Sequence, residues 1–401
     1  MAKIIPNIDE NLYRDRFKVA KFHNCRRDMT LVLEQALELE EIFVPGYEKV
    51  VKVSNKEAGL NAIICIHTTT MGPALGGIRI YPYLTFEAAM NDVMRLAKGM
   101  TYKSAVSECG WGGGKSVIIA DAKKQKTPEM LLAFGHAVEK LQGEYICAED
   151  LGCTPADVAV ISQATPYVVG LPSEKSSGNP SPFTAWGTYR GIQSVLKKIY
   201  DTDSPEGKTI AIQGLGSVGI ELAKMLFWAG ARLILSDIDA EKCKSIAAFT
   251  GAGIVSPEEI MQVECDVFAP CAMGGILNDQ TIPKLKCRAI AGCANNQLLK
   301  DSDADELAAR NILYAPDFVI NAGGLINVTQ ELHFDGYNPS LARNKVHRLY
   351  DQLMIIYDIA EQNRFSTHRA ALSLADYRLK YRIGKRVEPP CFHHAKEPRS
   401  N

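Results

Sequence analysis

Residues 208–239, KTIAIQGLGSVGIELAKMLFWAGARLILSDID, decide the fold. An apolar run, KTIAIQG, leads into Gly214-Leu215-Gly216-Ser217-Val218-Gly219; SVGIELAKMLFWAG follows at helical spacing, and ARLILSDID is a second apolar run. Strand, helix and strand in succession form a βαβ unit, which implies a parallel sheet with a right-handed crossover. The pattern G-x-G-x-x-G is common and can be a structural turn, but here it leaves a strand and opens a helix, the context of a dinucleotide site. Gly214 permits the tight turn, Gly216 lets the backbone approach a pyrophosphate, and Gly219 allows the helix to pack closely. Leu215, Ser217 and Val218 complete the loop, and the helix N-terminus offers partial positive charge to phosphates. Asp237 stands 23 residues after Gly214, at the end of the next strand, where a carboxylate can accept hydrogen bonds from an adenosine ribose. It would also repel a 2′-phosphate, so NAD is expected rather than NADP, although Lys242 and Lys244 follow.

Downstream, the strand-like runs CDVFAP (265–270), AIAGCA (289–294) and DFVINAG (317–323) continue the sheet, and after about residue 340 the chain reads as helical. Upstream, GLPSEKSSGNPSP (170–182) is too rich in Gly, Ser and Pro for regular structure and marks a boundary, followed by the helix FTAWGTYRGIQSVLKKIY. Before it, strand patterns at YEKVVKV, LNAIICIHT, GGIRIYPY, KSVIIA and EYICAED alternate with helices at TFEAAMNDVMRLAKGMTYKSA and TPEMLLAFGHAVEKL. Leu31, Leu33, Ala36, Leu37 and Leu39 are spaced for one helix face. The expected architecture is α/β with two domains: a mixed-sheet substrate and catalytic domain over 39–170, and a Rossmann-type NAD-binding domain over 171–345. Residues 1–38 form an N-terminal extension of unassigned role. Residues 346–380 are helices returning to the first domain, and 381–401, with Pro389, Pro390 and Pro398, are a disordered tail.

The 401 residues are 46% hydrophobic and 23% charged, ordinary globular composition with enough chain for two cores. Lys plus Arg total 45 against 46 for Asp plus Glu, so a net charge of -1 offers no field to concentrate the protein on nucleic acid or anionic membrane. A small-molecule function is the default. The opening residues mix acids and bases without the apolar run of a secretory signal, and nothing approaches the roughly 18 apolar residues of a membrane span. A cytoplasmic protein is expected. The eleven cysteines contain no Cys-x-x-Cys and an odd number cannot all pair, so they read as reduced, buried thiols. Three pairs spaced by six (Cys147/Cys153, Cys265/Cys271, Cys287/Cys293) and the tail motif Cys391-Phe392-His393-His394 fit no common zinc pattern, and no metal site is expected.

The chemical candidates lie in the first domain. Lys103 ends the helix in GMTYKSA, and Lys115 follows Gly110-Trp111-Gly112-Gly113-Gly114. A lysine is ordinarily a solvated surface group. Beside three glycines, however, a substrate can approach the ammonium and strip its hydration, which lowers its pKa toward that of a useful base, and a second cation nearby lowers it further. Asp150, in AEDLGCT, is either a structural cap or a catalytic acid.

The stretches GPALGGIRIYPY, RLAKGMTYK, GGGKSVII, YICAEDLG, SSGNPSPFTAWGTYRG, QGLGSVG, DVFAPCAMG, AGCANNQL and PDFVINAGGLINV resemble the leucine/phenylalanine/valine dehydrogenase branch of the glutamate dehydrogenase superfamily, from about residue 39 to about 380. The resemblance, strongest to leucine dehydrogenases, implies reversible oxidative deamination of an L-amino acid to its 2-oxo acid, with NAD as hydride acceptor, in a cleft between the two domains of a homo-oligomer. It implies that Lys103 holds the substrate carboxylate, assisted by the backbone at Gly76 and Gly77 and by Met100. Lys115 would activate the water that attacks the imine, and Asp150 would handle the amine proton. Thr184, Asn295 and Asn321 would lie near the nicotinamide and present one face of its ring.

By the same resemblance Leu75, Ala148, Thr154, Leu325 and Val328 line the side-chain pocket. Leucine dehydrogenases have alanine where Ala148 sits, whereas phenylalanine dehydrogenases tend to have glycine there and asparagine where Thr154 sits, so both positions favour leucine, valine and isoleucine. Leu325 replaces the valine usual in leucine dehydrogenases and occurs in the aromatic enzymes, which keeps phenylalanine or tryptophan open; one methylene changes discrimination by only about 1–3 kcal/mol. A hydroxy-acid dehydrogenase would show a catalytic His-Arg arrangement, and none is evident. A non-catalytic NAD sensor would be expected to lack Lys115 or Asp150, and both are present.

Overall fold

The computed structural model describes residues 32–172 and 176–394 and contains two six-stranded sheets. The first is built from β1 (Leu37–Glu41), β2 (Lys49–Asn55), β3 (Leu60–Thr68), β4 (Ala74–Tyr81), β5 (Gly112–Ile119) and β6 (Tyr145–Glu149), in the order β1-β2-β3-β5-β4-β6. It is mixed: β1, β2, β3 and β5 pair antiparallel, while β4 runs parallel to both β5 and β6. The run LNAIICIHT is apolar on both sides because both faces are covered. Ile63 and Cys65 meet Ala89, Val93 and Ala97 of the Phe86–Val106 helix, and Ala62, Ile64 and Ile66 meet Met130, Phe134 and Ala137 of the Pro128–Glu139 helix. Each helix begins at a threonine whose side chain accepts a backbone N–H, Thr85 from Ala88 and Thr127 from Met130.

The second sheet comprises β7 (Thr209–Gln213), β8 (Arg232–Ser236), β9 (Gly253–Ile254), β10 (Cys265–Pro270), β11 (Cys287–Ile290) and β12 (Leu313–Tyr314). All pairs are parallel, in the order β12-β11-β10-β7-β8-β9. The chain therefore winds outward twice from the middle, and the crevice beyond the carboxyl ends of β7 and β10 is the switch point where such sheets bind ligands. The C-terminal Thr367–Tyr381 helix lies against the Phe86–Val106 helix of the first sheet. Buried Arg378 donates to the Val106 carbonyl at 2.5 Å and pairs with Glu108 at 2.8 Å. Among the described residues no helix is long and apolar enough to cross a membrane.

Three elements differ from expectation. The helix read over 31–39 is a helix only at 32–35; β1 follows and pairs with Val51–Asn55 of β2. Leu37 and Leu39 alternate with Glu38 and Glu40, a period of two that fits a sheet edge as well as five scattered apolar residues fit a helix face, and Leu31 lies outside the described residues. DFVINAG is not a strand. Asp317–Ile320 and Gly323–Thr329 are helices, and the sheet ends instead at Leu313–Tyr314. The Asp317 carboxylate accepts the Phe318 N–H at 2.8 Å and the Gln297 N–H at 2.9 Å, anchoring a helical turn where the apolar run suggested a strand. The tail expected to be disordered is packed as far as His394: Arg386 N–H donates to the Met71 carbonyl at 2.9 Å, and Phe392 meets Tyr167 edge-on. Residues 395–401 lie outside the described residues.

Candidate active site

A cavity of about 130 Å³ lies where the two sheets' loops meet, lined by Arg79, Met100, Lys103, Lys115 and Asp150 from the first and by Asn295, Asn296 and Asp317 from the second. Its chemistry follows from strand order. β4 runs between β5, which carries Lys115, and β6, which Asp150 follows, so the two side chains must meet across β4. Gly77 stands at the crossing point. A Cβ there would lie 2.6 Å from the Glu149 carbonyl, 2.7 Å from Asp150 Cβ and 3.2 Å from Lys115 Nζ. With hydrogen in its place, Lys115 Nζ and Asp150 Oδ2 pair at 3.0 Å.

Lys115 has 6% of its side chain exposed. Burial drives its pKa below the ordinary lysine value, against the opposing pull of Asp150. Burial pushes the Asp150 carboxyl up, but Lys115 and Arg79 together outweigh it and hold the group below the usual carboxylate range. Lys103 is pushed down to about 8, chiefly by desolvation, with Asp317 opposing and Lys115 adding to the shift. Among the described residues no carboxylate lies within ion-pair distance of Lys103, which leaves it free to meet an anion. Met100 precedes it by one turn of the Phe86–Val106 helix and lines the same cavity.

Arg79 escaped the sequence reading. Its Nε meets Asp150 Oδ2 at 3.2 Å and its Nη1 meets Asp92 Oδ2 at 2.9 Å, and Asp92 also accepts from Tyr83 at 2.5 Å and from Arg95 at 2.9 Å. The available signal was a lone arginine in the apolar run GGIRIYPY. Asp317 was missed because DFVINAG read as a strand.

The glycine triple acts differently from its sequence reading. A Cβ on Gly113 would fall on Thr101 of the Phe86–Val106 helix, and one on Gly114 would lie 2.7 Å from the Tyr145 ring. These glycines admit a helix and a ring, and Gly77 is the glycine that faces the Lys115 ammonium. Gly76 is filled in the same sense, since its Cβ would fall on the Gly114 carbonyl.

Leu75, Ala148, Leu325 and Val328 belong to one apolar cluster with Met100, Trp111, Ile146, Val169 and Leu332. Thr154 does not. It is exposed and caps the Pro155–Ile161 helix, its hydroxyl and N–H engaged with Asp157 in a capping box. Val169 belongs to the cluster, and Thr154, exposed and engaged as a helix cap, lends the sequence argument for an aliphatic pocket no support.

In the second sheet, Gly214 has φ +96° and a Cβ there would lie 2.7 Å from that of Ala272. A Cβ on Gly219 would fall on the Gly214 carbonyl, whereas one on Gly216 would meet nothing within 4 Å, leaving an open backbone cradle at the first turn of the Ser217–Trp228 helix. Asp237 Oδ2 accepts the Leu215 N–H at 2.6 Å, so the carboxylate at the end of β8 also braces the loop after β7. Asn321 Nδ2 donates to Asn295 Oδ1 at 2.7 Å and to the Cys293 carbonyl at 3.2 Å. Its Oδ1 is buried and has no partner among the described residues, the donor-seeking atom expected where a carboxamide docks. Thr184 packs against Gly323 and Gly324, just after Asn321 in the chain. The open cradle, the ribose-side carboxylate and the unpartnered Asn321 oxygen fit a nicotinamide dinucleotide. Among the described residues no group of three or more His, Cys, Asp or Glu could hold a metal ion.

The family described as Glu/Leu/Phe/Val dehydrogenase, dimerisation domain, matches residues 47–167, and that described as Glutamate/Leucine/Phenylalanine/Valine dehydrogenase matches residues 234–364. The chain is 48% identical over 335 residues to leucine dehydrogenase of Thermoactinomyces intermedius, covering 83% of this chain and 91% of that protein. It is 44% identical over 344 residues to L-tryptophan dehydrogenase of Nostoc punctiforme, covering 86% and 96%. The crystal structure of L-tryptophan dehydrogenase from Nostoc punctiforme matches with a TM-score of 0.75 at 41% identity, over 90% of this chain and 98% of that one.

Proposed function

The chain belongs to the glutamate/leucine/phenylalanine/valine dehydrogenase family, and on that premise we propose that it oxidatively deaminates a branched-chain L-amino acid, leucine, valine or isoleucine, to the 2-oxo acid and ammonia. The observation that carries the chemistry is the Lys115–Asp150 pair at 3.0 Å, in one cavity with Lys103. NAD, when bound, would supply the acceptor for the hydride of the substrate α-carbon. Lys103 neutralises the substrate carboxylate, with the backbone at Gly76 and Gly77 and the Met100 side chain beside it. Asp150, ionised, takes a proton from the substrate ammonium before the hydride leaves. Lys115, neutral, takes a proton from the water that adds to the imino carbon. Asp150 then returns its proton to the amine, which departs as ammonia and carries off the hydroxyl proton as ammonium while the 2-oxo group forms. Arg79 holds the Asp150 carboxylate toward Lys115. Asn295, Asn321 and Thr184 position the nicotinamide, and Gly214 to Gly219 with Asp237 bind the rest of the dinucleotide. The description of residues 47–167 as a dimerisation domain supports a homo-oligomer.

Leu75, Ala148, Val169, Leu325 and Val328 form the side-chain pocket, and the alanine at 148 supports the branched-chain reading. An aromatic substrate is the second reading, supported by the 44% identity to an L-tryptophan dehydrogenase and by the engagement of Thr154 as an exposed helix cap. Initial rates with NAD and NADP across L-leucine, valine, isoleucine, phenylalanine, tryptophan and glutamate decide between them; a preference for tryptophan or phenylalanine overturns the branched-chain reading.

Two substitutions refine the site. Ala148→Gly is expected to raise kcat/KM for phenylalanine relative to leucine by roughly ten- to a hundredfold, because one methyl is worth about 1–3 kcal/mol of discrimination. The added backbone freedom beside Asp150 should lower activity on every substrate, so the ratio is the quantity to measure, and an unchanged ratio removes Ala148 from the pocket. Asp237→Ser is expected to weaken NAD binding and narrow the NAD/NADP preference, since it removes both the ribose acceptor and the repulsion of a 2′-phosphate. Titration of both cofactors checks this, and an unchanged ratio places Asp237 away from the ribose.

A further inference from the structure

The walls of the side-chain pocket come from three separated parts of the chain: Leu75 in β4 with Trp111 just before β5, Val169 in the loop after β6, and Leu325, Val328 and Leu332 from the helix and turn that follow the second sheet. Among the described residues the cysteines are free, so no disulfide links these parts. Residues 384–394 touch all of them. Arg386 donates its N–H to the Met71 carbonyl at 2.9 Å, lays its guanidinium 4.4 Å from the Trp111 ring centroid, and donates through Nη2 to the Leu332 carbonyl at 2.8 Å. The Cys391 N–H reaches the same Leu332 carbonyl at 3.2 Å. His393 bonds the His333 carbonyl at 2.8 Å, and His394 bonds that of Pro166 at 3.0 Å. Between them the Phe392 ring stands edge-on to Tyr167, with centroids 5.3 Å apart, and packs into the apolar cluster that holds Ala148, Val169, Leu325 and Val328. The path is shaped for this segment: a Cβ on Gly72 or Gly110, both at positive φ, would lie 3.3 Å from Arg386 Cβ.

We propose that Phe392 is a specificity-determining residue, backing the pocket wall from outside so that Val169 and Leu332 cannot yield to a large substrate side chain. The inference rests on the pocket assigned under the proposed function. Cores are close-packed, so a wall with a ring behind it has no room to retreat, whereas a wall with a void behind it can shift to admit added volume. Arg386 is the anchor that delivers the ring, through the Trp111 stacking and the Leu332 hydrogen bond.

The test compares wild type with Phe392→Ala, Phe392→Leu and Arg386→Gln, reading kcat/KM for L-leucine and L-tryptophan, calorimetric Kd for both amino acids, NAD affinity and melting temperature. Phe392→Ala is expected to raise the tryptophan-to-leucine ratio about tenfold, the effect of a small change in pocket volume. Phe392→Leu, which refills most of the space, should stay within about threefold of wild type, Arg386→Gln should shift the ratio in the same direction as alanine, and NAD affinity should not change in any of them. If Phe392→Ala lowers the melting temperature while the ratio stays at the wild-type value, the ring is structural only and the proposal fails. If the alanine variant does not fold, the ratio in Arg386→Gln decides in the same way. Absence of turnover in wild type would defeat the reaction assigned above and leave the Kd ratio to decide this inference.

Discussion

Replacement of Lys115 by alanine is expected to lower kcat by about 10²–10⁴, the usual contribution of a positioned general base, while NAD still binds with wild-type affinity. The loss is specific because Lys115 sits on β5 of the first sheet, whereas the glycine loop follows β7 of the second. The pH profile separates a lost base from a damaged site. Lys115 acts in its neutral form, so activity falls as pH drops through its pKa, and burial places that limb below the ordinary lysine range. Lys103 acts in its charged form, and its pKa of about 8 in the free protein means that kcat/KM also falls as pH rises through that value. Wild type should therefore give a bell. In Lys115→Ala the acid limb attributable to Lys115 disappears and the alkaline limb remains. A variant with near wild-type kcat, or one that keeps both limbs, excludes Lys115 as the base.

Gly77→Ala should be almost as severe with no ionisable group removed. Its methyl would lie 2.6 Å from the Glu149 carbonyl and 2.7 Å from Asp150 Cβ, so either β4 and β6 part or Asp150 turns away from Lys115. Overpacking of this kind costs about 1–3 kcal/mol of stability, and displacing a reacting group by about 1 Å costs on the order of 100-fold in rate. Denaturant midpoint and kcat measured on the same preparation test both consequences. Full activity at unchanged stability would mean that the Lys115–Asp150 pair does not depend on the empty space over residue 77.

Much of this arrangement was legible before any coordinates. The β7-helix-β8 unit, the threonine caps at Thr85 and Thr127, and the buried run of β3 are places where period, capping and turn chemistry agree, and there the elements fall within a few residues of their reading. The site was legible as residue types, Lys103, Lys115 and Asp150, but not as geometry. A glycine in sequence does not say whether its missing side chain faces a ligand or a helix, and so the room around Lys115 was credited to Gly112–Gly114 when Gly77 supplies it. Thr154-Pro155-Ala156-Asp157 carries its own capping signal, which outweighs a place in the pocket, while Val169 gave no signal beyond being apolar. A run as short as Phe318-Val319-Ile320 cannot distinguish strand from buried helix without knowing that Asp317 will be held by Gln297. Arg79 was hidden because its partners, Asp92 and Asp150, are far apart in the chain and adjacent only across the sheet.

The grip of Arg378 on the end of the Phe86–Val106 helix is one end of a strut between the two sheets. Arg378 is 5% exposed and bonds Val106, Gln352 and Glu108, while Thr367 at the start of its helix donates to the Tyr314 carbonyl in β12 at 2.6 Å. The Thr367–Tyr381 helix thus ties the β12 edge of the second sheet, through Thr367, to the end of the Phe86–Val106 helix, through Arg378, three residues beyond Lys103. The two contacts stand eleven residues apart on one helix, about 16 Å at 1.5 Å per residue. That helix is a strut of fixed length between the edge of one sheet and the turn next to Lys103, so a change at either of its ends is passed to the other as a shift along the strut.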